Sequence, residues 1–121
     1  MKSLLIVDDS ITMRRVVSEC LENQEINIDQ AADGLQALSL ASNSQYDLII
    51  ADYHMPKMMG IALIKELRQL EKYRKIPMLV LSSESDPNIK QKGKVAGVTG
   101  WLLKPIDKTN FSDNINKLLN K

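Results

Sequence analysis

Four short apolar runs, each closed by a polar residue, constrain this chain more than anything else in it. Leu4-Leu5-Ile6-Val7 runs into Asp8 and Asp9, and Leu48-Ile49-Ile50-Ala51 runs into Asp52. Met78-Leu79-Val80-Leu81 ends at Ser82, and Trp101-Leu102-Leu103 ends at Lys104. Runs of this length without polar alternation fit strands covered on both faces, as in parallel sheets. Between them lie helical stripes. Met13, Val16, Val17, Cys20 and Leu21 form one, Leu63, Ile64, Leu67 and Leu70 a second, and Phe111, Ile115, Leu118 and Leu119 a third. Ala37, Leu38 and Ala41 mark a shorter helix after Asp33-Gly34. Segment 86–96 is the weakest helix, with Pro87 suited to a first turn but Gly93 inside it. Ile26-Asn27-Ile28-Asp29 alternates instead, as expected of an edge strand with one wet face.

The pattern is five consecutive βα units. Right-handed crossovers then favour an α/β fold with a doubly wound, five-stranded parallel sheet. Edge-like second and fifth strands fit the order 2-1-3-4-5 of flavodoxin-like folds. A length of 121 residues supports one core, so a single domain over 1–121 with no effector domain is expected. The net charge of +1 provides no broad basic field, which argues against nucleic acid as a partner. The apolar runs are too short for a membrane span or a secretory signal. Cys20 is the sole cysteine, so no internal disulfide can form, and a cytoplasmic location is expected. Its place on an apolar stripe reads as packing.

Open α/β sheets bind ligands at the carboxyl ends of their strands. In the order above, strands one and three are neighbours, so Asp52 falls beside Asp8 and Asp9. Three carboxylates together repel and raise one another's pKa, which a hard divalent cation relieves. Mg²⁺ is such a cation, taking one or two carboxylates, several waters and a phosphate oxygen. A carboxylate can also attack phosphorus and become an aspartyl phosphate. That reaction requires an in-line nucleophile, a metal and a cation to offset charge. Asp52 suits the nucleophile because it leads a loop rather than a helix. Lys104 supplies a point charge, and Ser82 a hydroxyl donor.

Leu5-Ile6-Val7-Asp8-Asp9-Ser10, Asp52 with Met55-Pro56 and Gly60, Leu81-Ser82-Ser83-Glu84, and Lys104-Pro105 together resemble the signature of two-component response-regulator receiver domains. Thr12-Met13-Arg14-Arg15 resembles the single-domain, chemotaxis-type (CheY-like) subgroup. The resemblance implies that Asp52 is the phosphoacceptor and Asp9 a direct Mg²⁺ ligand. Asp8 would act through water, and the backbone carbonyl of His54 would complete the protein ligands. It further implies that Ser82 and Lys104 bind the phosphoryl group and that the Lys104–Pro105 peptide is cis. The donor would be a phosphohistidine on a sensor histidine kinase or a histidine phosphotransfer protein. Ser82 and Trp101 would act as the switch, and a downstream protein would bind the face formed by helix 4, strand 5 and helix 5. His54 and Glu84 would tune phosphoryl lifetime. The residues that mark flagellar-switch binders are not matched at Asp86, Pro87, Lys90, Trp101 and Ile106.

The competing reading is a Mg²⁺-dependent aspartyl-phosphate phosphatase of the haloacid-dehalogenase kind. Such enzymes place a general acid two residues after the nucleophile, where this chain has His54. A signalling switch rather than a turnover enzyme is therefore expected. Three further features have plain structural readings. Trp101 could plug an edge strand, Met55, Met58 and Met59 could fill gaps, and Lys90, Lys92 and Lys94 could form a solvated face.

Overall fold

Burial on both sides explains the apolar runs. In the computed structural model, which describes residues 1–22, 24–83 and 85–120, Leu4, Leu5, Ile6 and Val7 have no exposed surface. They lie in β1 (Lys2–Val7), and β3 (Leu48–Asp52) and β4 (Met78–Ser82) are buried along their whole length. These three strands form the centre of a parallel sheet ordered β2-β1-β3-β4-β5, as expected. The edges are β2 (Ile26–Ala31) and β5 (Gly100–Leu103). In β2, Asn27 and Asp29 are exposed while Ile26 and Ile28 are half-buried, which is the alternation read from the sequence.

Alternate side chains of each strand supply two cores. On one face Leu5, Val7, Ile49, Ala51 and Val80 pack with α2 (Gly34–Asn43) and α3 (Gly60–Leu67). On the other, Leu4, Ile6, Leu48, Ile50 and Leu81 pack with α1 (Ile11–Cys20) and α5 (Lys108–Leu119). Burying each such aliphatic side chain contributes roughly 2 kcal/mol. Val16, read as part of the apolar stripe of α1, is 37% exposed, whereas Val17 is fully buried. The stripe is narrower than the sequence suggests because α1 packs chiefly on β1 and α5. Cys20 is half-buried against the second core, and burial raises its thiol pKa, in keeping with packing.

The helix ends follow local chemistry. Ser10, Asp33, Asp86 and Asp107 cap α1, α2, α4 (Pro87–Ala96) and α5, each side chain accepting from a first-turn N–H. Helix α4 ends at Gly97, whose φ of 107° is left-handed, and Val98 N–H closes the turn on Gly93 O at 2.9 Å. Gly93 is buried, and a Cβ there would press on Trp101 and Val98. The residue that weakens α4 as a sequence is what lets it approach β5.

A link with no signature in the sequence lies at the opposite end from the strand termini discussed above. Arg68, following α3, donates to Gly97 O from Nε at 3.0 Å and from Nη2 at 2.8 Å. Its Nη1 donates to Ile76 O at 2.7 Å and also to Tyr73 O. One guanidinium thus ties the end of α3 to the α4–β5 turn and to the segment leading into β4, and burial lowers its pKa.

Candidate functional site

Strand register alone brings the polar residues together. Val7 pairs with Ala51, so Asp8 and Asp52 leave adjacent strands side by side. Asp52 pairs with Leu81, one residue before Ser82, and Ser82 pairs with Leu103, one residue before Lys104. Lys104 N–H donates to Ser82 O at 2.9 Å, which continues the ladder one step past β5. Asp8 N–H likewise bonds Ala31 O at 3.1 Å, holding the start of the β1–α1 loop to β2. The Lys104–Pro105 peptide is cis, as the resemblance implied.

The electrostatics are those of a pocket with an acidic floor. Carboxylate oxygens of Asp8, Asp9 and Asp52 all lie within 4.8 Å of one another. Lys104 Nζ stands 3.0 Å from Asp52 Oδ1 and 3.9 Å from Asp8 Oδ2. Asp8, Asp52 and Ser82 are buried and Asp9 is exposed. Asp8 Oδ1 accepts from Ser10 N–H at 2.9 Å. Asp8 Oδ2 is buried with no hydrogen-bond partner among the described residues, and Lys104 is too distant to serve.

The Asp8 carboxyl pKa is raised to about 6. Burial is the largest cause, opposed by the Ser10 N–H, and the Asp52 charge adds a smaller upward push. Mutual repulsion, which the sequence suggests as the driver, is therefore secondary to desolvation. A buried carboxylate oxygen lacking a donor, beside two further carboxylates, fits a hard divalent cation. The donor set is all oxygen, and Asp9 lies on the solvent side where such an ion would keep its waters.

Beside this cluster a cleft of about 260 Å³ is lined by Asp52, Tyr53, His54, Ser82, Ser83 and Lys104. The expected nucleophile, hydroxyl and lysine thus share one cavity, and exposed His54 stands at its edge. Trp101 is half-buried with its ring centroid 5.6 Å from that of Tyr53. Glu84 lies outside the described residues. Met55 is buried, and Met58 packs on the core against Gly34, so both fill gaps. Lys90, Lys92 and Lys94 are exposed, as read.

Two contacts at the site were not legible beforehand. Arg14 Nη1 donates to Asp8 O at 2.7 Å while its Nε donates to Gln30 at 3.0 Å, bracing the loop that carries Asp8 and Asp9. Tyr53 lies between Asp52 and Trp101, and only its position beside Asp52 could have suggested this.

Gly60 is required by close approach. Its N–H bonds Tyr53 O at 2.9 Å, and a Cβ would collide with the Asp52 backbone carbonyl. Helix propensity favours Gly60→Ala by up to ~1 kcal/mol. The backbone collision outweighs it, so Gly60→Ala is expected to destabilise the fold by about 2 kcal/mol. Urea denaturation checks this, and a variant as stable as the parent would contradict the close packing of Asp52 on α3.

Comparison with known proteins agrees with this geometry. The response regulator receiver domain family matches residues 4–116. Chemotaxis protein CheY-3 of Vibrio cholerae serotype O1 is 34% identical over 119 residues, spanning 98% of this chain and 92% of that protein. Chemotaxis protein CheY of Pseudomonas aeruginosa is 31% identical over 119 residues, spanning 98% and 96%. The structure of chemotaxis protein CheY4 of V. cholerae superposes with a TM-score of 0.94 at 39% identity, covering 98% of this chain and 99% of that one.

Proposed function

Because the chain belongs to the response regulator receiver domain family, we propose that it accepts a phosphoryl group on Asp52 and thereby switches a protein-binding surface. The observation that carries this is Lys104 Nζ at 3.0 Å from Asp52 Oδ1, beside two further carboxylates at the strand ends. The donor is a phosphohistidine on a sensor histidine kinase or a histidine phosphotransfer protein, and the setting is the cytoplasm.

Asp52 attacks phosphorus through a carboxylate oxygen, and the bond from phosphorus to the donor nitrogen breaks. Asp9 and Asp52, the His54 carbonyl, and Asp8 through water would hold Mg²⁺, which would neutralise charge on the phosphoryl oxygens. Phosphorylation adds about −1.5 to −2 charges. Lys104 then moves its interaction from the Asp52 carboxylate to a phosphoryl oxygen, and Ser82 donates its hydroxyl to another. The Ser82 shift is transmitted through Trp101 to the face formed by α4, β5 and α5, where a downstream protein binds. His54 and Glu84 flank the path of attacking water and set phosphoryl lifetime.

The test is stoichiometry. With a small phosphodonor and Mg²⁺, intact mass should rise by one phosphoryl group per chain, with a shift in Trp101 emission from its Mg²⁺-bound baseline. Ser82→Ala should reduce the emission shift more than the labelling. Continuous turnover of a phosphate ester without a labelled species would favour a phosphatase instead.

A further inference from the structure

Charge is divided unevenly along this chain. Residues 1–53 hold nine acidic and three basic side chains, whereas 54–104 hold ten basic and four acidic. The sheet order separates the two halves in space, with β2 and β1 toward one end and β4 and β5 toward the other. The small net charge conceals this polarity.

At the basic end a groove of about 510 Å³ runs between α3 and α4. Ile61, Val95 and Ala96 provide its apolar surface, and Lys65 and Lys92 are cations along it. No carboxylate is among its described lining residues. Val95 is 80% exposed, an aliphatic side chain left in water on a surface that also carries Lys65 and Lys92. Among the described residues only Lys104 is engaged in an ion pair, so neither Lys65 nor Lys92 is paired with a described carboxylate. Apolar contact and uncompensated positive charge coincide in one concave surface, away from the phosphoacceptor cleft.

We infer that the α3–α4 groove is a docking site for an acidic amphipathic segment of a partner protein. An aliphatic or aromatic anchor would cover Val95 and Ile61, and flanking carboxylates would meet Lys65 and Lys92. A segment of this kind uses both features of the groove, whereas a nucleic acid would leave Val95 uncovered, since no aromatic ring is among the described lining residues for stacking. This surface is distinct from the α4–β5–α5 face, and its occupancy does not require a phosphoryl group on Asp52.

The test is a titration of the unphosphorylated full chain with a labelled helical peptide carrying leucines on one face and glutamates on the other. Amide NMR shifts should map to Ile61, Lys65, Lys92 and Val95, and binding should weaken as salt is added. Lys65→Glu combined with Lys92→Glu should weaken binding at least roughly tenfold, as should replacing the peptide's glutamates with glutamines. Val95→Asp should weaken it similarly, and all three residues are exposed, so the fold should survive. Absence of saturable binding would overturn the proposal. So would equal binding of the glutamine peptide, or shifts confined to β5 and α5. The same groove shifts on concentrating the protein alone, or stronger shifts with an oligonucleotide, would also overturn it, in favour of self-association or nucleic acid respectively.

Discussion

Replacing Arg68 with alanine should destabilise the protein by about 3–5 kcal/mol, because a partly buried cation holding several carbonyls is lost at once. The guanidinium serves Gly97 O twice in the α4–β5 turn, and Ile76 O and Tyr73 O in the segment leading into β4. Gly97 is the left-handed residue that ends α4, so its carbonyl cannot find another partner without moving that turn. Leaving each part-buried carbonyl unsatisfied costs about 1–3 kcal/mol unless water enters, and the bonds are coupled through one planar group. Arg68→Lys retains the charge but not the fork, and should recover less than half of the loss. Equilibrium urea unfolding measures both variants. A loss below about 1 kcal/mol for Arg68→Ala would mean that water replaces the guanidinium without strain.

The second large effect is a pH dependence. Asp8 has a folded-state pKa of about 6 against an ordinary value of 3.8. Between these values the folded state binds the proton more tightly than the unfolded chain does, so metal-free stability falls as pH rises through this window. The loss is complete above the folded pKa and amounts to about 3 kcal/mol by pH 7. Asp8→Asn removes the effect. In chelator the variant and parent should be close near pH 4, and the variant should be the more stable by roughly that amount at pH 7. A divalent ion opposes the trend, because it favours the ionised carboxylate and stabilises only the folded state. A parent–variant difference that is flat with pH would contradict the desolvated Asp8.

How much of this was legible in the sequence depends on range. The lengths of the apolar runs carried the fold, because a strand buried on both faces leaves no room for polar alternation. Once the strand order followed, the convergence of Asp8, Asp52, Ser82 and Lys104 was a matter of register. What stayed hidden were contacts between segments whose sequence neighbours say nothing of one another. Arg68 reads as an ordinary charged residue after Leu67, yet it bonds a turn 29 positions away. Gly93 reads as a flaw in a helix, but it is the contact that seats Trp101. The cause of the Asp8 shift was also beyond reach. Charge repulsion can be counted from residue types, whereas desolvation requires knowing which carboxylate is buried.

The central claim is that Asp52 carries the phosphoryl group, and the most direct test is chemical mapping of the labelled residue. After treatment with a small phosphodonor and Mg²⁺, borohydride reduction converts an acyl phosphate to homoserine at the modified aspartate. Peptide mass spectrometry should then find homoserine at position 52, dependent on both phosphodonor and metal, with none in Asp52→Asn. Homoserine at Asp8 or Asp9 in the parent, or undiminished labelling of Asp52→Asn, would contradict the account.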